Sequence, residues 1–483
     1  MKKTTIIALL ATFVFNGVKA QESAIKASID YLDKNFKTYN NLQKEIWSNS
    51  ELGYQEVKSS KALKDHLKAN GFTIQEGIAG EPTAFIATYG SGKPIIGITA
   101  EFDALPGLSQ DSVPYRKILK ENGPGHGCGH NLFGVASSAA GVAISRWLKA
   151  TNHEGTIRIY GSPAEEGGSG KTYIVRDGYY KDVDIVLDWH PGGDNAVRTE
   201  PGLAKVGIEY RFTGHSAHAA GNPWKGRSAL DAVEILDVST NFMREHIKPH
   251  NRIHYVIPNG GGAPNVVPSY AVVEYYMRSP NVKELKEIVN WIDSAAQGAA
   301  LATQTHVEKY FVAGQYQFLI NETIAKLLQK NLEKVGGVTW NEREFEFARR
   351  LNEHNVNPDS ILNQIVKVKP LGKIKKESEG GGSTDVADIS WNVPTASFGT
   401  VTTVPGNPGH SWENAATVGT TIGTKGLINA AKVFTYSAID LFLNPEIVQA
   451  AKDEFVKARP ADFNYEPLAG DLPPRLDYRK GRN

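Results

Sequence analysis

The chain has 483 residues, 41% of them hydrophobic, with 53 basic against 52 acidic residues and one cysteine. That length suggests two or three domains, or one domain with a large insertion, and the even charge, with no large charge run, points to no polyanion partner such as nucleic acid or an anionic membrane. Cys128 has no partner within the chain, so a disulfide framework is excluded as well.

The first segment reads MKKTTIIALLATFVFNGVKAQ, with Lys2 and Lys3 ahead of an apolar run from Ile6 to Phe15. The run is too short to span a bilayer, and Val18-Lys19-Ala20 fits a small-x-small cleavage site. The pattern predicts an export signal over 1–20 and a mature chain from Gln21 that is periplasmic or secreted. No later segment approaches the length of a membrane span, so no membrane partner is expected for the mature chain.

Residues 22–48 and 56–70 carry apolar residues three or four apart and predict helices, the second ended by Asn70-Gly71. PTAFIATYG and KPIIGITAEFD predict strands, Asn131–Lys149 a helix rich in small residues, and GTIRIYGSP and VDIVLDWH two more strands. This alternation predicts an α/β fold with a mostly parallel, helix-covered sheet. From residue 203 the pattern changes. AKVGIEYRFTG, the helix Ser228–Ile247, RIHYVIPNG, YAVVEYYMRSP, the helix Val282–Ala302 and THVEKYFVAG follow one another. The order βαββαβ is the ferredoxin-like split unit, here read as an insertion. The helix Asn321–Val335 returns to the first domain, TASFGTVTT adds a strand, and Thr420–Leu443 closes it. The expected divisions after the signal are 21–202, 203–315, 316–443 and a C-terminal extension at 444–483. That extension predicts a helical stretch and then a Pro- and Tyr-containing strap over the surface.

Ligands of parallel α/β sheets sit beyond the carboxyl ends of the strands. Strands there end with Glu101 and Asp103, with Glu165 and Glu166, with Asp188 and His190, and in a loop carrying His410. The stretch GPGHGCGH, which holds His126, Cys128 and His130, lies just before the small-residue helix. Each of these residues alone has an ordinary structural role; five segments converging on one sheet edge argue for a site. Cys128 and His130 can face the same way in a turning segment that Gly127 and Gly129 permit. The helix start beyond them is expected to favour the thiolate. Adding Glu166, His190 and His410 gives five donors, more than one tetrahedral ion uses and suited to two metals about 3.5–4 Å apart. One of the adjacent pair Glu165 and Glu166 is then free to act as a base, and spacing alone leaves open which.

GHGCGHN, SPAEEGG, LDWH and PGHSWE, in this order, resemble the M20 metallopeptidase and amidohydrolase family. FTGHSAHAAGNPWKGRSALDAV and GGGAPNVVPSYAVVEYYMRS are similar to that family's lid, or dimerisation, domain. Ser383-Thr384-Asp385 together with GHSWE resembles the p-aminobenzoyl-glutamate hydrolase branch of the family. The resemblance covers roughly residues 25–440. It implies two divalent ions per subunit, zinc or manganese, with Cys128, His130, Glu166, His190 and His410 as ligands and Glu165 as catalytic base. It further implies that His218 reaches the partner subunit's site to stabilise the oxyanion, and that Asn265 and Arg278 hold the substrate. His215 and His126 are read as structural or supporting. Glu101 stands where many relatives have a histidine ligand, which leaves the bridging ligand open, and Asp103 is expected to orient the site from behind. The expected activity is metal-dependent hydrolysis of N-acyl or N-aroyl amino acids such as p-aminobenzoyl-glutamate, by a homodimer or a heterodimer with a related subunit. A dipeptidase or aminoacylase of other specificity, and a non-catalytic exported binding protein, are the alternatives.

Overall fold

The computed structural model describes residues 20–353, 358–378 and 380–480; the expected export signal lies outside them except for its last residue. Eleven named strands are β1 (Thr73–Glu76), β2 (Phe85–Ser91), β3 (Ile95–Ala100), β4 (Gly155–Gly161), β5 (Ile185–Gly192), β6 (Ala196–Val197), β7 (Ala204–Thr213), β8 (Arg252–Asn259), β9 (Tyr270–Ser279), β10 (His306–Gln315) and β11 (Thr395–Val401). They form two sheets, ordered β1-β2-β4-β3-β5-β11-β6 and β10-β7-β9-β8.

In the larger sheet β4, β3, β5 and β11 run parallel. Antiparallel β2 and β1 extend one side and β6 the other. The central strand β3, IIGITA, is buried along its whole length, and β5 is buried from Ile185 through Trp189. Continuous apolar runs of this kind are what a sheet covered on both faces requires. The helix His130–Thr151 packs against β3 and β4 and beside the helix Thr421–Leu443. Its small residues make that approach possible: a Cβ on Gly134 would stand 2.7 Å from the Glu101 carbonyl oxygen. Every residue from His130 to Leu148 except Arg146 is buried.

The smaller sheet is antiparallel throughout and spans 204–315. The helices Ala229–Met243 and Val282–Thr303 pack against β7 and β9 around a core that includes Ile208, Phe212, Leu236, Tyr275 and Ile292. Along the chain this is the expected strand–helix–strand–strand–helix–strand unit.

Three expectations change. The single helix expected over 22–48 is broken at Asn35, whose side-chain amide donates to the Tyr31 carbonyl at 2.8 Å. Asparagine competes with the helix ladder in this way. Short elements went unseen: the polar edge strand β1 and the helices Gly170–Arg176, Glu342–Leu351, Val386–Ser390 and Trp412–Val418. The helix Glu342–Leu351 begins with a capping box, Asn341 and Glu344, that was legible in the sequence. Finally, the segment after the helix Pro445–Ala458 does not lie over the surface alone. Its Ala469 belongs to the large core, Leu468 packs on the core of the small sheet, and Tyr478 is buried beside Tyr54, Ala164 and Val312. Among the described residues no helix is long and apolar enough to cross a membrane.

Candidate metal centre and cleft

The carboxyl ends of β3, β4, β5 and β11 open onto one cleft. Cys128 precedes the helix His130–Thr151, and Gly129 between Cys128 and His130 takes φ +82°. That left-handed turn, costly for other residues, lets the two side chains converge. The Cys128 Sγ lies 3.4 Å from His190 Nε2 on β5. Cys128, His130 and His190 form one group whose donor atoms lie within 4.8 Å of one another, and Cys128, Glu166 and His410 form a second. A third joins Glu101, His130 and Glu165. The five expected ligands and Glu165 are therefore brought together, and Cys128 is common to two groups.

These residues fit a metal. His130 Nε2 and Glu166 Oε1 are buried and make no hydrogen bond, although Glu101 Oε2 and His410 Nε2 stand 3.1 and 3.4 Å away. Buried polar atoms are normally satisfied, and thiolate, imidazole and carboxylate donors crowded at this range match zinc or a similar divalent ion.

Behind the donors lies a buried polar layer. Asp103 Oδ1 meets His130 Nδ1 at 2.8 Å, and its Oδ2 accepts the Glu166 backbone N–H at 2.9 Å. One carboxylate thus orients two of the expected ligands, with His130 Nε2 left on the side of Glu101. Lys171 Nζ sits 2.7 Å from both Glu101 Oε1 and Asp385 Oδ1, and all three side chains are buried. Burial pulls the Lys171 ammonium down, but Asp385 and Glu101 outweigh it and hold the group charged. Burial likewise opposes a charged His130, and the carboxylates of Glu101 and Asp103 override it. Glu165 is pushed well above the usual carboxyl range by burial, reinforced by the charges of Glu101 and Glu166. Against the expectation of a favoured thiolate, burial and the Glu166 carboxylate push the Cys128 thiol up. A thiolate at this position needs a cation.

The cleft has a volume of about 510 Å³ and is lined by Cys128, Glu165, Glu166, His190 and His410 on one side and by Lys205, Tyr276 and Arg278 from the small sheet on the other. Arg278 Nη1 donates to Ser383 Oγ at 3.0 Å. His218 and Asn265 do not line it. Both are exposed on adjoining loops of the small sheet, where Ala219 N donates to the Asn265 carbonyl and the His218 ring accepts from Gly221 N. His215 pairs with Arg227 through the backbone, and His126 is buried on the Ile46 carbonyl at 3.2 Å.

Sequence reading missed the buried Lys171, and also Arg198, Lys205 and Arg479, which line the cleft. Lys171 stands five residues after Glu166, just past a glycine-rich stretch and at the start of the short helix Gly170–Arg176, with no signal of burial in the sequence. Lys205 and Tyr276 occupy alternating strands whose polar positions read as a solvated face. Arg479 lies in a basic tail.

Residues 97–436 match the family described as Peptidase family M20/M25/M40. The chain is 35% identical over 470 residues to a p-aminobenzoyl-glutamate hydrolase subunit of Escherichia coli (strain K12), covering 92% of this chain and 97% of that one. It is 28% identical to an Xaa-Arg dipeptidase of Mus musculus, covering 86% and 88%. Among solved structures, a dinuclear metal-binding peptidase of the M20 family from Bacillus subtilis superimposes with a TM-score of 0.56 at 16% identity, over 85% of this chain and 99% of that one.

Proposed function

Because the chain belongs to peptidase family M20/M25/M40, in which it is a metal-dependent amidohydrolase, we propose that it cleaves the amide bond of N-acyl or N-aroyl amino acids, p-aminobenzoyl-glutamate among them. The observation that carries this reading is the meeting of Cys128, His130, Glu166, His190 and His410 with Glu165 in one cleft that also presents Arg278. The name of the Escherichia coli relative supports the aroyl-glutamate class.

The five donors would hold two divalent ions, zinc or manganese. Such a pair lowers the pKa of a water and polarises the amide carbonyl. Glu165 takes the proton of the attacking water and returns it to the departing amine nitrogen. Its raised affinity for a proton would be lowered by cations bound beside it, which leaves the carboxylate free to accept. Arg278 binds the free carboxylate of the amino-acid half. His218 of the partner subunit stabilises the developing oxyanion. A homodimer is supported by the small sheet. Ile235, Val238 and Phe242 are exposed at helical spacing on Ala229–Met243, and β8 is an open edge that exposes Val256 and Ile257. A heterodimer with a related subunit would use the same face, and the Escherichia coli relative is itself named as a subunit. The leader-like first 20 residues support export, which cell fractionation would test.

The mature chain from Gln21, loaded with manganese or zinc, is expected to release amine from p-aminobenzoyl-glutamate and to stop when a chelator is added. Glu165→Gln is expected to keep its metal and lose about 10²–10⁴-fold in turnover. Cys128→Ala is expected to lose stoichiometric metal. No release from metal-loaded protein would move the substrate to dipeptides, the class in the name of the mouse relative. Full turnover by Glu165→Gln would remove it as the base.

A further inference from the structure

The last stretch of the chain, after the helix Pro445–Ala458, has neither helix nor strand from 459 to 480. It is nevertheless fixed at many points. The Tyr465 hydroxyl donates to Asp388 Oδ1 at 2.6 Å, and the Tyr316 hydroxyl donates to the Glu466 carbonyl at 2.7 Å. Arg176 Nη1 donates to the Leu472 carbonyl at 2.7 Å, and Arg475 Nη1 lies 3.3 Å from Glu209 Oε2 on β7. The strap therefore crosses from the large sheet to the small one. It ends at the cleft. Tyr478 is 4% exposed and meets the Tyr54 ring edge-on at 5.8 Å. Arg479 lines the cleft and donates from Nη2 to the Glu166 carbonyl at 2.6 Å.

Two glycines make room for this end. A Cβ on Gly53 would stand 2.2 Å from the Tyr478 hydroxyl. Gly167, at φ +129°, would bring a Cβ to 3.3 Å from both Arg479 Nη2 and the Tyr478 ring. The turn that carries Glu165 and Glu166 is itself bent out of ordinary geometry, with Ala164 at φ +58°. Such a turn needs outside support. Three contacts supply it from the body of the fold: Ala164 N to Glu56 at 2.9 Å, Glu166 N to Asp103 at 2.9 Å, and the Tyr54 hydroxyl to the Gly168 carbonyl at 3.0 Å. Arg479 holds the remaining side. The Glu166 peptide is gripped at its N–H by Asp103 and at its carbonyl by Arg479.

We propose that the C-terminal strap is a working wall of the cleft, and that Arg479 is a positioning residue that sets the Glu165–Glu166 turn for metal binding and proton transfer. The proposal rests on the reading of this cleft as the hydrolytic site. Arg479 acts through the backbone of Glu166, so its loss displaces one expected ligand and the neighbouring base together.

The test is calorimetric titration with Mn²⁺ of the full mature chain as wild type, Arg479→Met and Arg479→Lys. Melting of the chelator-treated proteins and turnover of p-aminobenzoyl-glutamate accompany it. Arg479→Met is expected to weaken Mn²⁺ binding or turnover about 10–100-fold, the range for residues that orient metal ligands, with an unchanged melting temperature. Arg479→Lys keeps the charge and a donor and is expected to fall between. Arg475→Met, which loosens the strap outside the cleft, is expected to lower the melting temperature and leave Mn²⁺ affinity intact. Wild-type affinity and turnover in Arg479→Met would overturn the proposal. So would equal losses in both Arg479 variants that track a fall in melting temperature, since the arginine would then be a structural anchor only. If the wild type hydrolyses no substrate offered, the function proposed above fails, and the Mn²⁺ titration with the melting curves still decides the role of Arg479.

Discussion

Lys171 is the most informative residue that the sequence does not advertise. It is wholly buried, and its ammonium is shared by Glu101 and Asp385, with Glu101 in turn facing His130. One ammonium thus offsets part of the charge of two buried carboxylates without using a metal. This gives a physical reason for glutamate at 101: its charge answers an internal cation. Removing one member of a buried ion pair leaves the others desolvated and unpaired, which costs about 3–5 kcal/mol. Lys171→Met is expected to lose stability on that scale in urea denaturation. A midpoint equal to that of the wild type would show that Glu101 and Asp385 do not depend on it. Cys128, by contrast, was legible at once as a lone thiol among glycines and histidines. What the sequence could not supply was its surroundings, since burial and the Glu166 carboxylate push the thiol up.

At the scale of elements, strands and long helices follow from hydrophobic patterning, while short elements depend on what holds them. The five-residue helix Val386–Ser390 is an example. Its Asp388 accepts from the Tyr465 hydroxyl of the strap and from Tyr316 N at 3.0 Å. Burial pushes the Asp388 carboxyl up to about 7, against the pull of those hydrogen bonds. The unfolded value is about 3.9, so the folded state holds this proton more tightly. The resulting stabilisation is full below about pH 4 and is lost as the pH rises through about 7. Asp388→Asn cannot titrate. The stability of the wild type relative to this variant is therefore expected to fall between about pH 4 and 8 in paired urea melts. Parallel profiles would show that Asp388 keeps one protonation state across that range.

At the scale of the whole molecule, one chain assembles the donors, the base and Arg278 in a single cleft, while His218 and Asn265 stay exposed on the small sheet. The dimer proposed above gives the exposed His218 a place in the partner subunit's site. Mixing His218→Ala protomers with Glu165→Gln protomers is expected to restore turnover that neither has alone, because a hybrid dimer holds one site with an intact Glu165 and the partner subunit's His218. No restoration in verified hybrids would place His218 outside catalysis in trans. Charging the exposed face with Val238→Glu and Phe242→Glu is expected to yield monomers by light scattering, with turnover lost alongside. Active monomers would contradict the shared site.

The sequence by itself determined the two-sheet organisation and the set of chemically capable residues. Periodicity records which face of an element is buried, and strand ends of a parallel sheet collect ligands wherever the strands lie. Glu165, Glu166, His190 and His410 were legible for that reason, Cys128 and His130 from their spacing ahead of the small-residue helix, and the choice of Glu165 as base came only with the family resemblance. Only the tertiary structure decided which charges cancel and which segments meet. Lys171 is 214 positions from Asp385, and Arg479 is 313 positions from Glu166. Such pairs leave no local pattern because their energy comes from desolvation and close approach, which exist only once the chain has folded.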